Sequence, residues 1–361
     1  MDMRRVEPQS SLSIPLPFET SLLDSSFENI LNLSFVLKKS EPLLQAGHET
    51  AKAEHILTPY TYATEQAHRG QLNTKESDGT LIVSDGAYEV SFDKTNGFIS
   101  GYRYRGKELM VEGSHIRPNF WRAVTDNDFG AKLHVKYAAW KNPEIVLKDF
   151  SARTEGDNIV IRSSYAMPSV KSHLTMEYVV CAGGVVNAAM RLVPDGEPMS
   201  EMFRFGVRFE MPSGYEMLEY YGRGPHENYS DRCSSALLGI YRQTVDEQFH
   251  PYVRPQETGT HSDLRWWEIK NTANWGLRIT SDAPFNASAL HYSIENLDEG
   301  MVKHNTHPEE LTKSPHTWVC VDSRQMGLGC ENSWGRLPLP KYMIQHQEQS
   351  FSFTISPAGL K

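Results

Sequence analysis

Apolar and polar residues alternate with a period of two along most of this chain. Tyr88, Val90 and Phe92 follow the pattern, and so do the segments NIVIRSSYAM (158–167) and MFRFGVRFEM (202–211). Such alternation places one face of a strand in a core and the other face in water. It predicts the all-β class, with antiparallel strands after residue 80 that close into a large two-sheet sandwich.

Tight turns separate the predicted strands. Asn96-Gly97 supplies the positive φ angles of a hairpin turn, after which FISGYRYRG (98–106) is the return strand. Gly183-Gly184 predicts another hairpin in the same way. Strands that follow one another in sequence are therefore expected to pair in the sheet.

The chain is long enough for two domains, because 361 residues exceed what one hydrophobic core normally serves. Alternating apolar residues at 12–18 and 31–37, followed by AKAEHIL (51–57), predict a first β region of about three strands. Residues 58–80 are polar and rich in turn formers. We expect a first domain at 1–60, a linker at 61–77 and a second domain at 78–361.

A helical pattern occurs at residues 131–141. Gly130 precedes this segment, and Asn142-Pro143 follows it. These boundaries favour an excursion from the sheets, a loop or lid, over a core helix.

The acidic residues just before this segment resemble the start of a calcium loop. The twelfth position counted from Asp126 is Tyr137 instead of Glu, which excludes an EF-hand. A turn-capping role for Asp126 and Asp128 is the better interpretation, and we assign no metal site.

Composition excludes several classes of partner. The formal charge of −9 and the scattered Lys and Arg residues leave no basic face for phosphates, which argues against nucleic acid. The four cysteines, at positions 181, 233, 320 and 330, form no Cys-x-x-Cys pair, so free thiols are expected. No segment has the length and apolar character of a membrane span or secretory signal, which predicts a cytoplasmic chain without a membrane partner.

The stretch YYGRGPHENYSDR (220–232) concentrates polar chemistry after Gly224-Pro225, which breaks the strand. This break places the following residues on a rim or loop, where function concentrates. The alternative is that they satisfy backbone groups at the strand end, with charge pairs that hold the corner. The candidate residues of this stretch are His226, Glu227, Asn228, Asp231 and Arg232.

Two later stretches carry similar chemistry and predict one shared polar surface. PYVRPQETGTHSDLRWWEI (251–269) contributes Arg254, Gln256 and Glu257. DSRQMGLGCENSWG (322–335) contributes Ser333 and Trp334 between glycines. An exposed Trp beside acids and amides suits a sugar, because the indole covers the pyranose face and the polar groups bind hydroxyls. Packing of Trp334 into the core is the other interpretation.

Four motifs, in their order and spacing, resemble the C-terminal region of bacterial β-galactosidases of the family 2 glycoside hydrolases. They are FWRAVTDNDFG (120–130), YYGRGPHENYSDR, PYVRPQETGTHSDLRW and MGLGCENSWG (326–335). Residues from about 78 onward resemble the small-chain domain, and LLQAGHETAKAEHIL (43–57) resembles the end of the immunoglobulin-like domain before it. The resemblance implies a galactose mutarotase-like supersandwich preceded by a partial immunoglobulin-like β-sandwich.

The resemblance also implies roles for individual residues. Trp334, with Ser333 beside it, is expected to contact the sugar in a site shared with a neighbouring barrel. The segment that includes Gly130, Lys132 and His134 is expected to be a mobile loop near the same site.

Members of this family carry their two catalytic glutamates on a TIM barrel, and no segment here resembles that barrel. Retaining hydrolysis requires two carboxyl groups about 5–5.5 Å apart, so we expect no catalytic residue in this chain. The expected role is a fragment of a longer enzyme that completes a sugar site built elsewhere, with a galactoside bound through the missing barrel. Homo-oligomerisation is possible. A monovalent or divalent cation is plausible for the parent enzyme, although no cofactor is assigned to this chain.

Two other hypotheses remain open. A free-standing aldose epimerase would use a histidine and a glutamate as acid and base, for which His226 with Glu257 or Glu227 are the candidates. An isolated carbohydrate-binding module would use Trp334 and the acids around it.

Overall fold

The computed structural model describes residues 6–16, 19–62, 70–329, 332 and 335–359. The chain divides into two compact units, Met1–Thr61 and Tyr62–Lys361. In the first unit, β1 (Asn29–Val36) pairs antiparallel with β2 (Glu49–Thr58), as the alternation predicts. A 3₁₀ turn occupies Thr20–Leu22.

The first predicted strand, at residues 12–18, is wrong in its described part. Residues 11–16 adopt no strand, and Phe18 lies outside the described residues. Pro15 interrupts this alternating stretch, and a proline cannot donate a hydrogen bond to a β ladder. The apolar alternation alone therefore overstated the number of strands in the first unit.

The second unit begins with a small antiparallel sheet of strands in chain order. Residues 73–76, within the predicted linker at 61–77, form a strand whose side chains are exposed on both faces, so composition gave no sign of it. The strands are β3 (Asn73–Glu76), β4 (Thr80–Ser84), β5 (Tyr88–Asp93), β6 (Ile99–Tyr104) and β7 (Lys107–Glu108).

The remaining described strands join one large antiparallel sheet. Its main path runs β15-β14-β16-β17-β19-β12-β11-β10-β9, and a branch leads from β17 through β18 and β13 to β8. The strands are β8 (Arg117–Asn119), β9 (Val146–Glu155), β10 (Asn158–Met167), β11 (Ser172–Val180), β12 (Val186–Pro194), β13 (Arg204–Met211), β14 (Tyr215–Gly224), β15 (Leu237–Thr244), β16 (His261–Asn271), β17 (Gly276–Leu290), β18 (Thr317–Gln325) and β19 (Gln349–Ala358).

Helices in the described residues are short. No helix among them has the length and apolar character that crossing a membrane would require. They are α1 (Asp126–Gly130), α2 (Leu133–Lys136), α3 (Val245–Gln248) and α4 (Ile294–Leu297), with 3₁₀ turns at Ala138–Trp140, Pro168–Val170, Pro308–Glu310 and Pro340–Tyr342.

Aromatic side chains hold the two sheets of the second unit face to face. The rings of Phe92 and Tyr178 meet edge to face at 5.3 Å, and those of Phe98 and Tyr165 stack at 5.2 Å. Such pairs contribute about 0.5–1.5 kcal/mol beyond the area that they bury. The all-β class and the large antiparallel sandwich are therefore confirmed.

Turns occur at both predicted positions, and Gly183-Gly184 has the predicted positive φ at both residues, whereas at Asn96-Gly97 only the glycine does. Gly97 has φ +76° between β5 and β6, and Gly184 has φ +77° between β11 and β12. A Cβ atom at Gly184 would lie 2.6 Å from the ring of Tyr88, so this turn needs glycine for space as well as for conformation.

The segment at 131–141 is helical in part, but the expected excursion outside the core is wrong. Leu133, Tyr137 and Trp140 are all buried in the hydrophobic core. Their spacing of four and then three residues places them on one face of a helix, and that face packs inward. Asn142 and Pro143 mark where the segment ends but do not determine whether it is buried.

Replacing Trp140 by Ala should lower the free energy of unfolding by about 3–5 kcal/mol, because the change removes a fully buried indole. That indole packs at 5.3 Å from the ring of Phe120. Val135→Ala, in the same segment but 53% exposed, should change it by less than about 0.5 kcal/mol. Urea unfolding followed by tryptophan fluorescence and circular dichroism measures both. Equal, small effects would show that the segment does not pack as described.

Candidate functional site

The candidate site is the rim where α1, the 225–232 loop, the 250–260 loop and residues 326–329 meet. We call residues 326–329 the glycine segment, because Gly327 and Gly329 lie within it and it leads to Trp334. Ser333 and Trp334 themselves lie outside the described residues. The described residues of the rim therefore show how the chain that leads to Trp334 is positioned.

Helix α1 begins with a capping box. The Thr125 side chain accepts a hydrogen bond from the Asp128 backbone N–H, and the Asp128 carboxylate accepts one from the Thr125 backbone N–H. This reciprocal pairing satisfies two donors at the start of the helix. The capping role predicted for Asp128 is confirmed. Among the described residues, no cluster of His, Cys, Asp and Glu could hold a metal ion.

Arg122 joins α1 to the glycine segment from a fully buried position. Its guanidinium donates to both carboxylate oxygens of Asp128, at 2.8 and 3.1 Å. It also donates to the backbone carbonyls of Met326 at 2.6 Å and Gly327 at 3.1 Å. A buried guanidinium is tolerated only when its donors are paired, so these partners fix the position of the segment.

Asp231 holds the glycine segment from the other side. One carboxylate oxygen accepts the N–H of Leu328 at 3.1 Å, and the other accepts the N–H of Gly329 at 2.9 Å. A Cβ atom on Gly327 would lie 2.5 Å from this carboxylate, so the close approach depends on glycine. Asp231 is thus a brace for backbone groups, which agrees with the second interpretation of the 220–232 stretch.

Gly335, the residue after Trp334, also lies at the rim. Gly335 has φ +97°, and a Cβ atom there would lie 2.7 Å from the carbonyl oxygen of Gly130. The chain that follows Trp334 therefore passes against the end of α1.

Glu227 is the centre of a second network. Its carboxylate accepts hydrogen bonds from Arg232 at 2.7 Å, the Gly259 N–H at 2.7 Å and the Thr258 hydroxyl at 3.1 Å. It also accepts the hydroxyl of Tyr252. Burial, followed by the neighbouring Glu227 carboxylate, raises the pKa of Tyr252 to about 12, so the phenol remains a donor. These contacts join the 225–232 loop to the 250–260 loop.

Asn228 and His226 lie next to this network but have different partners. Asn228 is fully buried; its amide donates to the Arg223 and His226 carbonyls and accepts from the Ser262 N–H and hydroxyl. Four hydrogen bonds satisfy this amide completely. His226 is exposed, and its ring hydrogen bonds to the Ser235 hydroxyl at 2.9 Å.

The 250–260 loop contributes charged groups that also bind the protein itself. Arg254 pairs with Asp126 at 3.1 Å and with Glu299 at 3.2 Å. The Gln256 side-chain oxygen accepts the Asp126 N–H at 3.4 Å. Arg254 therefore links this loop to the first residue of α1.

Glu257 belongs to a buried network beneath the rim. Its carboxylate pairs with Arg204 at 3.3 Å and accepts the Thr260 hydroxyl at 2.9 Å. Arg204 also donates to Asp322 at 2.7 Å, and all three charged side chains are nearly inaccessible. This network ties β13, β18 and the 250–260 loop together.

The predicted loop residues occupy different environments. Lys132 is exposed with a left-handed backbone, φ +59°. The ring of His134 lies 4.4 Å from that of Phe129, and burial lowers the pKa of His134. The mobility expected for Gly130, Lys132 and His134 remains a prediction.

Taken together, the rim side chains position one another. Among the described residues, the carboxylates of Asp128, Asp231 and Glu257 each accept at least two hydrogen bonds from the protein. Glu227 accepts four or more, so neither glutamate proposed for the epimerase is an unengaged base beside His226. This arrangement is suited to positioning the glycine segment, which precedes Trp334.

Sequence reasoning missed Arg122 and Arg204. The alternation in 202–211 places Arg204 on the face expected in water, whereas β13 is buried on both faces. The sequence therefore carried no signal of the burial of Arg204.

Asp231→Ala should accelerate hydrogen exchange of the Leu328 and Gly329 amides by about tenfold or more, because two backbone donors lose their acceptor. Exchange of peptides that cover residues 326–336, followed by mass spectrometry, measures the change. Asp282→Ala, an exposed carboxylate on β17, is the matched control and should leave these peptides unchanged. Unaltered exchange in Asp231→Ala would contradict the bracing role.

His261 should make stability depend on pH. It lies at the base of the rim, 1% exposed, and burial lowers its pKa to about 4 against an ordinary value of 6.5. Between these two values the unfolded chain binds more protons than the folded chain, so stability falls as the pH falls. The contribution lost by pH 4 is about 3 kcal/mol.

Urea unfolding at pH 7 and pH 4.5 measures this dependence. His261→Gln keeps a donor for the Pro225 carbonyl, which lies 3.1 Å from Nε2, but cannot take up a proton, so it should lose part of the slope. His226→Gln, at an exposed histidine, should retain the slope. Identical slopes in all three proteins would rule out His261 as the source.

Comparisons with known proteins agree with the motifs. The family described as Beta galactosidase small chain matches residues 84–355, and the one described as Beta-galactosidase, domain 4 matches residues 1–58. A β-galactosidase of Priestia megaterium is 32% identical over 96% of this chain and 33% of its own length. One from Lactobacillus delbrueckii subsp. bulgaricus is 31% identical over 99% of this chain and 34% of its own length.

The chain thus spans about a third of the length of these curated relatives. Among solved structures, a galactose 1-epimerase from Lactobacillus acidophilus NCFM is 8% identical, with a TM-score of 0.47, over 80% of this chain and 99% of that one. The match to residues 84–355 covers most of the sequence and confirms the resemblance carried by the four motifs. The chain belongs to the β-galactosidase small-chain family.

Proposed function

We propose that this chain is the C-terminal part of a β-galactosidase and supplies one wall of its galactoside site, whereas residues outside the chain break the glycosidic bond. Membership of the small-chain family and coverage of a third of its β-galactosidase relatives support the assignment. The observation that supports the role as a wall of the site is that Arg122 and Asp231 both bind the backbone of the glycine segment.

The proposed mechanism is positional. Trp334 follows the glycine segment, and its indole would stack on the apolar face of the galactose ring, with Ser333 beside it. Arg122 and Asp231 fix the chain that leads to the indole, and Gly335 packs where the chain returns to Gly130. A stacking group in a fixed position costs less conformational entropy on binding than a mobile one.

Bond cleavage is assigned elsewhere because the rim acids are already engaged. A retaining glycosidase needs one carboxyl group that protonates the leaving group and a second that attacks the sugar. Glu227 and Glu257 accept hydrogen bonds from Arg232 and Arg204 respectively, so both carboxylates are already bound to groups of the protein. A cation in the parent enzyme and homo-oligomerisation remain predictions.

The chain alone should release no o-nitrophenol from o-nitrophenyl β-galactoside above the buffer blank. A chimaera in which this chain replaces the corresponding third of the Priestia megaterium enzyme should hydrolyse the substrate. Turnover by the isolated chain would refute the proposal. Polarimetry of fresh α-galactose tests the epimerase alternative in the same preparation, and accelerated mutarotation would favour that reading.

Trp334→Ala in the chimaera should raise KM roughly tenfold, because one stacking contact is lost. Trp266→Ala is the control. This indole belongs to β16, lies beneath the Arg278 guanidinium of β17 and is outside the 322–335 stretch. Equal effects of the two substitutions would argue against a specific sugar contact by Trp334. Calorimetry of the isolated chain with galactose tests the binding-module alternative, for which we expect millimolar or weaker affinity.

A further inference from the structure

A polar cavity opens between the 230–233 loop, the ends of strands β14, β16 and β18, and the residues around Pro284 within β17. Its volume is about 240 Å³, below the roughly 300–1,000 Å³ of pockets for drug-sized ligands. The lining is dominated by charged, amide and hydroxyl groups, chiefly Arg223, Ser262, Asp263, Asn286, Arg324 and Lys341. We call it the β18 cavity.

The charge of the β18 cavity is opposite to that of the whole chain. Three cationic side chains and one carboxylate line it, whereas the chain carries a formal charge of −9. Arg324 donates to the Lys341 carbonyl at 3.4 Å, a long hydrogen bond. Within the described part of the chain, neither Arg324 nor Lys341 has a carboxylate partner. The cavity therefore favours a ligand that carries negative charge.

A β-bulge shapes the floor of the cavity. The register of β16 against β17 shifts between His261 and Leu264, and Asp263 there has φ +59°. Aspartate tolerates this left-handed conformation better than most residues, at some energetic cost. The bulge turns the Asp263 carboxylate toward Arg223, whose Nε donates to it at 2.9 Å. Bulges redirect side chains in this way beside binding sites.

A buried amide at the cavity wall has one unpaired end. Gln325 is 5% exposed and lines the cavity. One end of its amide lies 3.1 Å from the Thr260 hydroxyl, whose single proton goes to the Glu257 carboxylate, so this end is the NH2 donor; the other end, the amide oxygen, has no partner among the described residues. Buried polar groups are nearly always paired, so this amide is an independent sign of a polar ligand. The Tyr342 ring, with Lys341 Nζ 4.7 Å from its centroid, adds an apolar surface.

We propose that the β18 cavity binds an anionic monosaccharide, a hexose-sized polyol that bears a carboxylate or a phosphate. Arg324 and Lys341 receive the anion at the rim. Asn286 offers a donor and an acceptor to hydroxyl groups, Ser262 and Asp263 offer acceptors, and the Tyr342 ring faces the apolar side of the sugar. This site belongs to the described chain alone and does not depend on the galactosidase proposal.

Isothermal titration calorimetry of the chain with galacturonate, galactose 6-phosphate, galactose and inorganic phosphate tests the proposal. Galacturonate is the matched ligand for galactose, because the two differ only in the carboxylate at C6. We expect at least one anionic sugar to bind about tenfold or more tightly than both galactose and phosphate. Comparison of the two anionic sugars identifies which anion the rim prefers.

Arg324→Gln should weaken binding of the preferred anionic sugar by about tenfold, with the fold checked by circular dichroism. Arg162→Gln, at an exposed arginine on β10, is the control and should leave the affinity unchanged. Absence of heat with both anionic sugars would overturn the proposal. So would equal affinity for phosphate and anionic sugar, or equal effects of the two substitutions, because either result would indicate nonspecific anion binding.

Discussion

The buried guanidinium of Arg122 is the interaction on which the rim depends. Removing this cation from water costs several kcal/mol, which only a full set of acceptors can offset. Asp128 supplies two of them, and the carbonyls of Met326 and Gly327 supply two more. Because the acceptors belong to segments about 200 residues apart in sequence, satisfying one side chain brings α1 and the glycine segment together.

Charged side chains are paired in the same way elsewhere on the rim. Glu227 joins two loops, Arg254 joins a loop to α1, and Arg204 lies between Glu257 and Asp322 in the interior. Networks of this kind stabilise a single arrangement when every member is paired. Each of these charged side chains is a donor or acceptor for another group of the protein.

Sequence periodicity predicted the strands well where one face is buried and the other exposed. The segment 158–167 forms β10 over its full length, and the turns at Gly97 and Gly184 lie where glycine was needed. The prediction from periodicity failed where something other than the alternation determined the structure. Pro15 interrupts the alternating stretch at 12–18, β3 exposes both faces, and the helical face at 133–140 packs into the core in spite of its loop-like boundaries.

The sequence predicted which types of residue lie at the candidate site, but not which of them bind one another. Glu227 joins the 225–232 loop to the 250–260 loop, but the partners of these residues could not be read from the sequence. Asp231 pairs with amides 97 and 98 residues away, and Arg122 pairs with carbonyls 204 and 205 residues away. Only the folded sheet brings such groups together.

Strand β18 pairs on both sides, with β13 along its length and with β17 between Trp318 and Asp322. The chain therefore leaves the sheet for the glycine segment from a base fixed by two ladders. Insertions or deletions beyond Gly329 would lengthen or shorten the stretch that carries Trp334 while leaving both ladders intact. The length of this stretch is therefore independent of the sandwich that supports it.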